Sequence, residues 1–159
     1  MKDSHDPDAF DAHGPAARRG AMPVGHIDDF SPLEAAAVVC LRLCGAAAGC
    51  PHRRQFEADL GRHGGFAALA AAGRLSDLCE VYGRRALMRH HVSCRHVGAD
   101  EACLARLVDA AARGERDDAM LIATLIVRAD VAAGLVCEAE QAAAALARIA
   151  GGPPPGPLH

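Results

Sequence analysis

A chain of 159 residues, 51% of them hydrophobic, is long and apolar enough to fold around a core, which excludes disorder as its overall state. Aromatics make up only 3%, with no Trp, so the core must come from Ala, Leu and Val; each buries little area, and a homodimer is expected to supply more. The formal net charge of -3 argues against nucleic acid as a partner.

The charge is uneven along the chain: four basic against seven acidic residues over 1–50, eight against four over 51–96, and five against nine over 97–150. A basic middle and an acidic end can attract each other within one bundle or between two copies. Lys2 is the only lysine, so the positive charge is carried almost wholly by Arg, which suits bidentate contacts with carboxylates or phosphates.

Residues 1–30 carry Pro7, Pro15, Pro23 and many Asp and His, and are read as a flexible arm that Phe10 and Ile27 tack to the body. The body, 31–150, is read as a single helical-bundle domain. No proline occurs between Pro51 and Pro153, Thr124 is the only threonine, and no stretch shows sustained alternation. The expected fold is all-α: a four- to five-helix bundle, mostly antiparallel, with a long C-terminal helix and no β-sheet. Residues 151–159, GGPPPGPLH, are read as a disordered tail.

The first helix has the sharpest start: Ser31 as cap, Pro32 at the first helical position and Glu34 closing a capping box. It is expected to run to about Gly49, with Cys50-Pro51 turning into a helix over 52–63. Gly64-Gly65 breaks or bends that helix. Leu75, Leu78, Cys79, Tyr82, Ala86 and His90 then share a helical face, which predicts a helix from about Ser76 to Val92 that can be continuous with 66–73. Asp100 is the expected cap of a helix ending at Arg113, with Gly114 just beyond it. After a tight turn, MLIATLIVRADVAAGLVCEAEQAAAALARIA reads as one helix of about thirty residues, some 45 Å long, with Gly134 as a bend or close-packing point.

Seven cysteines is a high count. The start of the chain has no apolar run that would make a signal peptide, and no apolar stretch is long and charge-free enough to span a membrane. A cytoplasmic home with reduced thiols is the expectation, so metal binding, redox use or core packing are weighed ahead of disulfides. The densest reactive segment is RRALMRHHVSCRH, residues 84–96, with no acidic residue between Glu80 and Asp100. His90 and Cys94 are four apart and meet on one face if the segment is helical. With Cys79 or His96 they offer Zn²⁺, or another soft transition metal, the thiolate and imidazole ligands it prefers. The same surface, with Tyr82, Arg85, Arg89 and His90, is the candidate site for a small anionic ligand.

Cys40 and Cys44 form a Cys-x-x-x-Cys pair on the first helix. This pair resembles those of the cysteine-rich four-helix bundles that store cuprous copper, which carry several such pairs where this chain has one. The resemblance implies Cys40 and Cys44 as soft-metal ligands inside the bundle. No Glu-x-x-His di-iron motif, dinucleotide or P-loop fingerprint, or Cys-x-x-Cys is present, and spacing assembles no nucleophilic triad, so the sequence leans away from an enzyme. The leading functional expectation is a metal- or small-ligand-binding bundle using inward-facing Cys and His. The alternative is a non-catalytic regulatory or protein-interaction module acting as a homodimer, with the free Cys as core residues.

Overall fold

The computed structural model describes residues 14–151. These form seven α-helices in the order α1 (Pro15–Ala21), α2 (Pro32–Cys44), α3 (Pro51–Leu60), α4 (Gly65–Tyr82), α5 (Ala99–Ala112), α6 (Arg116–Ile126) and α7 (Ala132–Ala150). Two short strands, β1 (Pro23–His26) and β2 (His96–Gly98), pair antiparallel. The protein is therefore mostly helical, but the expectations of no sheet and of four to five helices both need correction. The part of the N-terminal arm at 1–13 and the tail at 152–159 lie outside the described residues.

Helices α2, α4, α5 and α7 pack on one another around a core of leucines and alanines. Leu41, Leu43, Leu75, Leu104, Leu107, Leu135 and Leu146 are its largest fully buried apolar side chains. Helix α6 lies outside these four, against α5 and α7. The capping box forms as the sequence predicts: Glu34 N–H donates to Ser31 Oγ (3.2 Å) and Ser31 N–H to Glu34 Oε2 (2.9 Å). Gly64 separates α3 from α4 with φ +106°, and Gly114 ends the α5 region with φ +71°, both left-handed conformations that glycine adopts without steric cost.

Several features depart from the sequence reading; α2, first, ends at Cys44 with Gly45 as its cap rather than near Gly49, and Gly45 gives room to the Arg89 guanidinium. Residues 15–29 form α1, β1 and a 3₁₀ turn at Ile27–Asp29. They dock because β1 finds a partner in residues 96–98, a pairing over seventy residues that no local pattern announces. Helix α4 ends at Tyr82 rather than Val92. There Gly83 leaves the helix in an extended conformation, with no room for a Cβ beside the Cys79 carbonyl.

The long C-terminal helix is two helices, α6 and α7, interrupted at Val127–Val131. Arg84 N–H donates to Ile126 O (3.0 Å) and Arg128 N–H to Tyr82 O (3.2 Å), so Gly83 and Val127 form an antiparallel bridge. Extended backbone suits the β-branched Val127 that follows α6, and the tertiary bridge overrides the helical period. Finally, α5 is capped at Gly98, and Asp100 lies inside the helix.

Gly134 is not the bend. A Cβ there, or at Gly73 in α4, would meet nothing within 4 Å. At Gly20 a Cβ would overlap the Asp100 carboxylate and the Arg85 guanidinium. Gly134→Ala and Gly73→Ala should therefore each stabilise the fold by about 0.5–1 kcal/mol in denaturant titrations, through helix propensity alone. Gly20→Ala should instead destabilise it, and a neutral Gly20→Ala would show that α1 does not pack as described.

Candidate functional site

The reactive segment runs from the residue after Gly83 to His96, the first residue of β2, and one buried ion pair holds that chain in place. Arg42 of α2 and Glu101 of α5 have side chains with 0% exposure. Arg42 Nε and Nη2 donate to the two Glu101 oxygens at 2.7 and 2.8 Å. The same guanidinium donates to the carbonyls of Cys94 (2.5 Å) and His96 (2.6 Å). The carboxylate in turn accepts the backbone N–H of His90 (3.0 Å) and of Gly98 (2.9 Å). The first turn of α5, the start of β2 and the loop are thus tied to α2 through one charged centre.

Burial alone would push the Glu101 carboxyl up. Hydrogen bonds from Arg42 and Gly98, the Arg42 charge and the His90 N–H outweigh that and hold it below the ordinary glutamate value.

A second, shallower clasp lies beside it. Asp100 is paired through both oxygens with Arg85 and also accepts the Met88 N–H at 2.9 Å. Arg89 donates to Ser76 Oγ (2.6 Å) and Glu80 Oε1 (2.9 Å), its guanidinium lying against Gly45, where a Cβ would come within 2.8 Å of it.

The structure brings together two of the predicted ligand residues, His90 and Cys94, with Nδ1 and Sγ 3.3 Å apart. They meet across a loop turn rather than along a helix. His90 Nε2 lies 2.7 Å from the Ala21 carbonyl, which can only accept, so Nε2 carries a proton and Nδ1 is the ring atom that faces the Cys94 Sγ. The other predicted ligands are elsewhere. His96 is exposed in β2, its ring edge-on to His26 at 6.1 Å. Cys40 and Cys79 are buried thiols that burial pushes up to about 12; burial also raises Cys44, although the nearby Arg89 and Arg53 charges oppose it.

Metal ligation needs thiolate, and at Cys44 and Cys79 the positive charge of Arg89 already stands nearby. Among the described residues no group of three or more His, Cys, Asp or Glu is arranged to hold a metal ion. For the anion site, Arg85 is engaged by Asp100 and Arg89 by Glu80, so an incoming anion would compete with carboxylates already in place. Tyr82 is 37% exposed rather than inward, its ring beneath the Arg128 guanidinium at 5.5 Å.

The sequence reading missed the outer face of α6. Leu121 and Leu125, one turn apart, are 66% and 70% exposed, while Ala119 and Ala123 of the same helix are buried. Asp117 and Asp118 stand at the N-terminal end of this face and have no ion-pair or hydrogen-bond partner among the described residues. Arg84, which donates to Thr124 O (2.7 Å), and the exposed Arg128 stand at the other end. Exposed Val81 lies at the adjoining end of α4. The run MLIATLIV is apolar on every side, so its pattern alone does not tell the outward leucines from the inward ones.

The chain matches no known protein-family model, and no curated protein or solved structure is detectably similar to it. Among the described residues no helix is long and apolar enough to cross a membrane.

Glu101→Gln keeps the shape of the clasp but leaves the Arg42 charge buried and unpaired, so it should cost about 3–5 kcal/mol in equilibrium unfolding. Because the Glu101 carboxyl titrates below its ordinary value in the folded state, its contribution is complete above the ordinary carboxyl range and is lost as pH falls through the lowered folded value. The stability difference between wild type and Glu101→Gln should accordingly shrink on acidification. A difference that stays constant from neutral to acid pH would show that the pair is not the electrostatic centre described.

Proposed function

We propose that the protein is a non-catalytic interaction module that acts as a homodimer through the outer face of α6. The observation that carries this reading is the exposed Leu121–Leu125 pair, an apolar strip with unpaired acid at one end and base at the other. Such a strip is complementary to itself. With a two-fold axis across the middle of α6, antiparallel packing sets Leu121 of one copy against Leu125 of the other, and Asp118 against Arg128. This is the isologous contact that closes at two chains.

The alanine-rich core supports the same reading, because small side chains leave each chain with little apolar burial of its own. The helix face is short, about 16 Å, so the contact belongs with small, reversible interfaces rather than with obligate ones. The reading as a metal- or ligand-binding bundle has the His90–Cys94 contact in its favour, which supplies two of the four ligands a zinc ion takes.

Sedimentation equilibrium of the full chain, from about 1 µM to about 1 mM, should show a monomer–dimer equilibrium. Leu125→Asp should weaken it at least tenfold, on the order of 1.4 kcal/mol or more. Asp118→Arg should also weaken it, and adding Arg128→Asp should restore it. A monomer at every concentration would overturn the proposal, whatever else covers the face. So would a dimer indifferent to Leu125→Asp.

A further inference from the structure

The buried clasp also fixes a thiol beside an imidazole. Among the described residues, two of the seven cysteines have an imidazole nitrogen within reach of sulfur: Cys94, with His90 Nδ1 3.3 Å from Sγ, and Cys50, with His52 Nδ1 at 4.0 Å. Cys40 and Cys79 are closed off in the core, and burial raises the thiols of Cys44 and Cys103. Cys137 is the one exposed cysteine, and its Sγ accepts from the Gln141 amide at 3.7 Å. Cys94 and His90 are each half-buried, so solvent reaches both residues.

Both are held from behind by the same ion pair. Glu101 accepts the His90 N–H at 3.0 Å, and Arg42 Nη1 donates to the Cys94 carbonyl at 2.5 Å. The Cys94 N–H closes a turn onto the His91 carbonyl at 2.9 Å, which brings the sulfur back toward the His90 ring. The ring itself is fixed. Its Nε2 donates to the Ala21 carbonyl at 2.7 Å, and it lies in the space that Gly98 leaves, where a Cβ would come within 3.1 Å of it. A nucleophile, a base within hydrogen-bond reach and a third group that orients the base are the arrangement that activates a thiol.

We propose that Cys94 is a modification site for low-molecular-weight disulfides, with His90 as the base that activates its thiol. Nδ1 takes the proton from Sγ as Sγ attacks one sulfur of the disulfide R–S–S–R. The bond from Sγ to that sulfur forms, the S–S bond of the disulfide breaks, and the leaving RS⁻ takes the proton from Nδ1. Cys94–SH and RSSR become Cys94–S–SR and RSH. The attacking sulfur is oxidised and the leaving sulfur reduced, so no other oxidant is needed. The site is separate from the outer face of α6, and its test does not depend on dimerisation.

The probe is bis(2-hydroxyethyl) disulfide, which carries no charge, so attraction between probe and protein does not enter the ranking of the thiols. The reduced full chain is treated at neutral pH for increasing times and quenched with acid, and the mixed disulfide at each cysteine is followed by peptide mass spectrometry. In the folded chain Cys94 should react about tenfold or more faster than the exposed Cys137. In urea the pair is lost and only the neighbouring charges along the chain still differ, so the lead should fall to about threefold or less. His90→Gln keeps an amide donor for the Ala21 carbonyl but supplies no base. It should slow Cys94 about tenfold or more and leave Cys137 unchanged.

Circular dichroism checks that His90→Gln keeps the fold. Should it not, the comparison of the folded wild-type chain with the same chain in urea decides alone. Cys94 reacting no faster than Cys137 in the folded chain overturns the site. A lead as large in urea as in the folded chain overturns the pair as its cause, and an unchanged Cys94 rate in folded His90→Gln overturns His90 as the base.

Discussion

Arg42 and Glu101 are the only arginine and glutamate side chains joined in full burial among the described residues, and most of the irregular structure hangs on them. Removing two charges from water costs several kcal/mol for each ion, and mutual attraction alone seldom offsets that cost. Here both groups also satisfy backbone: Arg42 takes the carbonyls of Cys94 and His96, and Glu101 takes the amides of His90 and Gly98. Those four backbone groups belong to a segment with no helix or long sheet of its own. Without the pair they would need water or each other, in a place where α2 and α5 leave little room for either.

From that centre the order spreads outward through a few close approaches. Gly98 lets the His90 ring lie where a Cβ would come within 3.1 Å of it. The His90 ring reaches the Ala21 carbonyl and holds the end of α1, and Gly20 admits the Asp100–Arg85 pair beside it. The two-stranded sheet continues the same region, since β2 leads directly into the first turn of α5. The N-terminal elements are therefore secured by contacts from residues 85–101 together with Ile27 and Phe30, which pack against the core.

How much of this was legible in the sequence follows from how local each signal is. The Ser31-Pro32-Glu34 cap and the glycines at 64 and 114 act within one turn, and their positions in the fold match the pattern. The buried leucines of α2, α4, α5 and α7 follow the helical period. The ends of α4 and α6 did not show, because Gly83 and Val127 leave their helices only by pairing with each other across more than forty residues. His90 and Cys94 were legible as a pair for the wrong reason. Four-residue spacing joins them on a helix, but here a loop turned at His91–Cys94 does so. No local pattern marks Arg42, because its partner lies 59 residues away.

The choice of an ion pair at the centre, rather than a leucine pair of similar volume, has a structural consequence. Apolar side chains would pack α2 against α5 at least as well, but they offer nothing to an amide or a carbonyl. Residues 86–91 would then turn toward each other or toward α5 to close their own hydrogen bonds. The carboxylates of Asp100 and Glu101 accept every second amide of that segment, which holds it extended and leaves the alternate amides pointing away from the bundle. The charge buried in the core is what allows an extended segment to exist on a helical protein. The same segment, one turn of chain earlier, pairs with the end of α6 through Gly83 and Val127. The clasped segment and the end of α6 are thus set by one continuous stretch of chain running from Tyr82 to His91.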